Sequence, residues 1–436
     1  MGDTDTDAAD RFDASISDQR LDEGGTATPL WRRYGRLPRN VFAIGLVSLL
    51  NDASSEIIYP LLPLFLSVTL GASPAVIGLI EGAAESVSSL LKLFAGYFSD
   101  RRAKRKGLVV FGYTLASVAR PLLAFASSWY QVFIVRLSDR VGKGIRTAPR
   151  DAMIADAALP EERGLAFGFH RAMDHAGAVI GPLLGYLLLY FIAANRNAPT
   201  AGDYKRVFLF ASIPALAAVL VAALAVRETK IKSETSASYL EPVRLSLSGF
   251  SGNFKIFLVL VALFTLSNST DAFLILRAGD AGISTATIPL LWAALHLSKV
   301  LSSLIGGNLS DRLGRKFLIA SGWLLYAVVY AGFAYVSSPG MAWALFLIYG
   351  VYFGLAEGAE KALVADLVRP EQRGTAYGLY NLAFGITVFP ASLLMGLLWN
   401  WRGAHAAFLV SACIGASAAL LLILTVRARD EESLAV

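Results

Sequence analysis

Apolar runs of roughly 20 residues, long enough to cross a bilayer as helix, recur along nearly the whole chain and are separated by short polar loops. The pattern predicts twelve spans, at about 40–68, 75–99, 107–127, 130–152, 164–191, 206–226, 255–276, 285–309, 317–336, 341–364, 374–398 and 404–426. The longest internal polar segment, about 227–254, carries Arg227, Glu228, Lys230, Lys232, Glu234, Glu241 and Arg244 and reads as a linker. The expected division is a tail over 1–39, a first bundle over 40–226, the linker, a second bundle over 255–427 and a tail over 428–436.

A repeat at half-chain distance supports that division. Asp100-Arg101-Arg102-Ala103-Lys104-Arg105-Lys106 and Asp311-Arg312-Leu313-Gly314-Arg315-Lys316 both follow one apolar stretch and lead straight into another. Each has a glycine four residues before its Asp, Gly96 and Gly307. Pro160-Glu161-Glu162-Arg163-Gly164 with Gly168 matches Pro370-Glu371-Gln372-Arg373-Gly374 with Gly378, and Ala155-Asp156 matches Ala365-Asp366, at a constant offset of 210. Proline and acid sit there where a helix start tolerates them. The predicted fold class is an all-α membrane protein of twelve transmembrane helices in two pseudo-symmetric six-helix bundles. Repeats of this kind in transporters place the solute between the halves, near mid-membrane.

Loop lysines and arginines set the expected orientation. Arg32, Arg33, Arg36 and Arg39 precede the first span, and basic residues mark alternate loops from Arg101–Lys106 to Arg427 and Arg429. The opposite loops hold Arg196, Lys205, Arg206, Arg402 and Arg277. Both termini are therefore expected in the cytoplasm, with the chain in the plasma (inner) membrane. Residues 1 to about 30 are polar and acidic and read as a disordered tail, since a signal peptide starts basic and turns apolar early.

Composition narrows the function. The chain is 55% hydrophobic and 17% charged, against about a quarter charged in soluble domains. A net charge of +6 could suit nucleic acid, but the positive residues cluster beside apolar spans, as cytoplasmic loops facing anionic lipid do. No nucleic-acid partner is expected. The single cysteine, Cys413, excludes an internal disulfide and a cysteine metal site. His170 and His175 do not share a helix face, and with five methionines a soft-metal path has no support; neither metal nor cofactor is expected. Gly142-Lys143-Gly144 lacks the spacing and strand context of a nucleotide loop, and no enzyme constellation is legible.

Three motifs carry a family resemblance over about residues 40–427. Gly307-Asn308-Leu309-Ser310-Asp311-Arg312-Leu313-Gly314-Arg315-Lys316 resembles the loop signature of the major facilitator superfamily; the first copy departs from it at Phe98 and Ala103. Arg140-Val141-Gly142-Lys143-Gly144 resembles its fourth-span pattern. Gly177 to Gly185, with Gly181 and Pro182, resembles its antiporter motif, although Tyr186 stands where a glycine is usual. The resemblance implies that spans one, four, seven and ten line the cavity.

Gating is assigned to Gly96, Asp100, Arg101, Gly307, Asp311, Arg312 and Arg315 in the hairpins, whose contacts would hold one end shut until the halves rock. Gly177, Gly181 and Gly185 with Pro182 join them, because small residues permit close helix approach and proline bends the helix; pure packing explains the same glycines. A topological basic loop is the plainer reading of the hairpins, but an Asp and a spaced glycine add nothing to topology.

Ionisable residues at bilayer depth are costly and functional by default. Asp52 and Glu56 share one face of the first span, Glu81 and Glu85 of the second, and Arg140, Lys143, Asp174 and His175 lie in the fourth and fifth. Asp52, Glu56 and Glu85 are the expected proton carriers. Asn51, Arg140, Lys143, Asp174, His175, Asn268, Asp271, His296, Glu357 and Glu360 are the expected cavity residues. A static ion pair, such as Arg140 with Asp174, is the structural alternative. The function expected is a monomeric secondary transporter in the lipid bilayer. It would exchange a small-molecule substrate for protons, with proton symport or lipid flipping on the same scaffold as alternatives.

Overall fold

The computed structural model describes residues 37–102, 105–159, 162–228, 247–369 and 372–426. The side chains of Asp100, Arg101, Gly307, Asp311 and Arg312 lie outside the described residues, as do 229–246 of the expected linker and nearly all of both tails.

The chain is helical throughout, with no strand among the described residues. The long helices are α1 (Arg39–Ile58), α2 (Pro74–Arg102), α3 (Lys106–Leu122), α4 (Trp129–Ala157), α5 (Arg163–Ile192) and α6 (Ala201–Leu224). After the interval come α7 (Gly252–Ser267), α8 (Ala272–Asp280), α9 (Ile288–Leu313), α10 (Arg315–Ala334), α11 (Pro339–Asp366) and α12 (Arg373–Thr425). Nine segments among the described residues are long and apolar enough to cross a membrane. α4 is as long as its neighbours but studded with charge, and α12 is two helices run together across Gly403, whose φ of 82° breaks the helical path.

Three expected spans differ in form. The first stays regular only to Ile58 and continues through a turn, the short helix Leu62–Leu64 and a π-helical stretch Phe65–Thr69, because Pro60 and Pro63 have no N–H to donate. The seventh breaks between Ser267 and Ala272. The loop expected between 398 and 404 is helical up to Gly403.

Helices α1 to α6 pack among themselves, and so do α7 to α12. The halves meet along α2 against α12 and α5 against α9. The offset of 210 reappears as structure: Arg105 pairs with Asp156 and Arg315 with Asp366. In each half this ties the start of one helix to the end of another at the end of the molecule that holds the basic hairpins.

At the opposite end the halves touch closely. A Cβ on Gly396 would lie 2.5 Å from the Pro74 carbonyl oxygen, and Ala286 donates its N–H to the Arg196 carbonyl at 3.2 Å. Toward the basic end, Gly164, Gly168, Gly358 and Gly374 face open space. The halves therefore form a wedge, closed at one end.

Candidate functional site

The wedge holds a polar cavity of about 330 Å³. Its charged walls come from residues near the middle of α1, α4, α5 and α9, where a helix of this length sits at mid-membrane depth. Asn51, Asp52, Glu56, Arg140, Lys143, Asp174, Asp271 and His296 all line it. Tyr59, Lys92, Arg120, Arg136, Asp139, Arg146, Arg150, Trp292 and Lys299 complete its charged and aromatic surface.

Part of this charge is consumed internally. Arg136 grips Glu81 through two hydrogen bonds of 2.8 and 2.5 Å and lies 3.7 Å from Asp139. Asp139 in turn accepts from Arg120 at 3.1 Å, and Arg120 donates to both the backbone and side-chain oxygens of Asn51 at 3.0 Å. Glu81, Arg136, Asp139, Arg120 and Asn51 are all buried. This chain joins α1, α2, α3 and α4, and such forked guanidinium–carboxylate pairs fix geometry as well as charge.

The second half answers differently at the same register. The positions 210 residues beyond Arg120 and Asp139 hold Tyr330 and Tyr349, both fully buried, with ring centroids 6.1 Å apart. The first half is cross-linked by charge and the second by stacked aromatics, so the cavity's ionisable groups come mainly from one side.

Helix packing brings the rest to the cavity. The glycine face of α5 lies on α1: a Cβ on Gly177 would meet the Leu49 oxygen at 2.6 Å, one on Gly181 the Ala53 oxygen at 2.5 Å, and one on Gly185 the Ile57 oxygen at 3.1 Å. Pro182 is buried within that helix. These residues join two helices of one half, and they bring Asp174 close to the face of α1 that carries Asp52. Gly96 packs on Ala148, between α2 and α4.

The break between α7 and α8 also belongs to the site. Non-helical backbone at membrane depth is tolerated where it lines a cavity. Asp271 sits there, accepting from the Tyr349 hydroxyl at 2.7 Å and lying 3.7 Å from Lys299. The polar run Ser267-Asn268-Ser269-Thr270-Asp271 inside an apolar span was the signal for this break.

Several candidates lie apart from the cavity. Glu85 is not among the lining residues and lies 3.8 Å from Arg140; Arg140 therefore pairs with Glu85, and Asp174 instead lies 3.6 Å from His170. Asn268 donates to the Tyr352 hydroxyl at 3.3 Å. Glu360 is buried in the second half, accepting from the Trp323 indole at 2.8 Å and the Tyr380 hydroxyl at 2.5 Å. Glu357 is half-exposed toward the basic end, 2.9 Å from Lys361 and 3.6 Å from Arg171 of the other half. His175 does not line the cavity. Sequence reading placed Glu357 and Glu360 there by span membership, but only one face of a helix can look inward.

Trp292 and Tyr59 were not anticipated. Their rings are 5.2 Å apart, and the Trp292 indole donates to Glu56 at 2.8 Å, joining α9 to α1. A separate apolar groove between α9 and α11, with Leu297, Leu301 and Leu355 in its walls, shares no lining residue with the polar cavity.

Membrane-length helices in two related halves around a charged central cavity define a polytopic membrane transporter. The chain belongs to the Major Facilitator Superfamily, whose profile matches residues 44–359 and again 256–435. It is 35% identical over 370 residues to an uncharacterized MFS-type transporter of Methanocaldococcus jannaschii, covering 84% of this chain and 89% of that one. It is 25% identical over 362 residues to the fosmidomycin resistance protein of Escherichia coli, covering 81% and 84%. The fold matches a bacterial homolog of the human lysosomal transporter Spinster, solved in an inward-facing and occupied conformation. That match has a TM-score of 0.73 and 16% identity, over 93% of this chain and 99% of that one.

Proposed function

We propose that this chain moves a small solute by alternating access and exchanges it for protons, exporting the solute from the cytoplasm. The observation that carries the reading is the mid-membrane cavity between the halves, closed at one end and rich in carboxylates that do not pair with lysine or arginine. Among the described residues the Asp52 carboxylate accepts from its neighbour Asn51 alone, at 2.9 Å. Glu56 bonds the Trp292 indole and lies 3.8 Å from His296. A carboxylate held by neutral donors can take a proton on one side and release it on the other as the halves rock, so Asp52 and Glu56 are the coupling groups. Glu85, paired with Arg140 and outside the cavity lining, is a poorer carrier.

The basic end, toward which the cavity widens, is the cytoplasmic one in this scheme, which agrees with the positive loops. Export is supported by the relative named for fosmidomycin resistance. The hairpins and the Arg315–Asp366 pair would help to hold that end when the halves close upon it.

The test is flux in proteoliposomes with an imposed pH gradient. Solute and proton fluxes of opposite sense support exchange. Fluxes of the same sense turn the reading to symport, and solute flux indifferent to the gradient removes proton coupling.

A further inference from the structure

The charges left over after internal pairing are segregated by wall. On α4, Lys143 and Arg146 have no salt-bridge or hydrogen-bond partner among the described residues, although both line the cavity. Arg146 is 4% exposed, its guanidinium lies over the Tyr113 ring at 4.5 Å, and one of its terminal nitrogens is buried with no acceptor. On the α1–α5 side, the Asp52 carboxylate has Asn51 as its one side-chain partner among the described residues, and one oxygen of Asp174 is buried with no donor among them. Buried polar groups in folded proteins find partners as a rule. Here cationic donors without an acceptor and a carboxylate oxygen without a donor line the same cavity from different helices, with no salt bridge between them among the described residues.

We infer that the cavity binds a small zwitterionic solute, with its oxyanion on Lys143 and Arg146 and its ammonium on Asp52 and Asp174. The inference rests on the transport reading and adds the substrate class. A guanidinium held over an aromatic ring by cation–π attraction still has N–H donors to offer an oxyanion, and one Arg146 nitrogen here has no acceptor. A solute of one sign would satisfy one wall and leave the other's buried charge uncompensated, the costlier arrangement.

The test uses purified full-length protein titrated by calorimetry at neutral pH with three probes of matched length: 3-aminopropylphosphonate, propylphosphonate and propylammonium. The zwitterion is expected to bind at least about tenfold more tightly than either singly charged probe, a difference of about 1.4 kcal/mol. Asp174→Asn should lower its affinity to that of propylphosphonate, and Arg146→Gln to that of propylammonium. Lys143→Gln serves the same purpose if the Arg146 variant does not fold. Equal affinities, tighter binding of a singly charged probe, or no binding of any of the three would overturn the inference. Zwitterion binding without flux in vesicles would instead remove the transport reading and leave this one standing.

Discussion

Trp292 on α9 donates its indole N–H to the Glu56 carboxylate on α1 at 2.8 Å, so a single hydrogen bond ties the second half of the chain to a carboxylate of the first. Hydrogen bonds to charged groups contribute about 1.5–3 kcal/mol, enough to shift a two-state equilibrium roughly tenfold or more. Trp292→Phe keeps the ring and removes the bond. It should raise the population open at the end away from the basic loops. Spin labels at Val68→Cys and Trp401→Cys, both highly exposed at that end, with Cys413→Ser, would report a growing long-distance population; an unchanged distribution would deny the bond a role in closure.

Asp52→Asn should abolish pH-driven solute flux while protein yield and thermal stability stay within the ordinary range. The substitution keeps the shape and hydrogen-bonding capacity of the side chain and removes the proton site. Coupled flux equal to that of the unaltered protein would take Asp52 out of the mechanism.

The Glu81–Arg136 pair is a packing element, and its variants should behave accordingly. Removing one partner of a buried pair leaves an uncompensated charge and costs about 3–5 kcal/mol. Glu81→Gln or Arg136→Gln should therefore lower the melting temperature sharply. The double variant should lose clearly less than the two single losses together. Additive losses would mean that the two residues act independently.

Glycine positions on α5 separate close packing from open space. A Cβ on Gly181 would meet Ala53 and Glu56 of α1 at 2.5 and 2.7 Å, whereas one on Gly168 meets nothing within 4 Å. Overpacking costs about 1–3 kcal/mol, so Gly181→Ala should lower thermal stability by that order and Gly168→Ala should leave it unchanged. Equal behaviour of the two variants would contradict the packing of α5 on α1.

The candidates that sequence and structure place in the same cavity, Asn51 apart, share one property: each is an ionisable residue within a long apolar run. Asp52, Glu56, Arg140, Lys143, Asp174, Asp271 and His296 were legible because charge at that depth has few other uses. Glu357 and Glu360 show the limit of this rule. Both interrupt an apolar run, yet one faces the basic end and the other is enclosed by Trp323 and Tyr380. The break at Asn268–Asp271 was visible only as a cluster of small polar residues whose consequence for the backbone depends on neighbouring helices.

By itself, the sequence determined the membrane-spanning helices, the repeat at an offset of 210 and the supply of buried charge, because hydrophobic length, glycine spacing and loop composition act locally. Only the tertiary structure decided which charges neutralise one another. That Arg136 takes Glu81, Arg140 takes Glu85, and Lys143 and Arg146 have no salt-bridge partner among the described residues depends on distances of a few ångströms between helices far apart in the chain. At membrane depth those distances separate a structural pair from a group available to a solute, since an ion there is tolerated only when it is compensated.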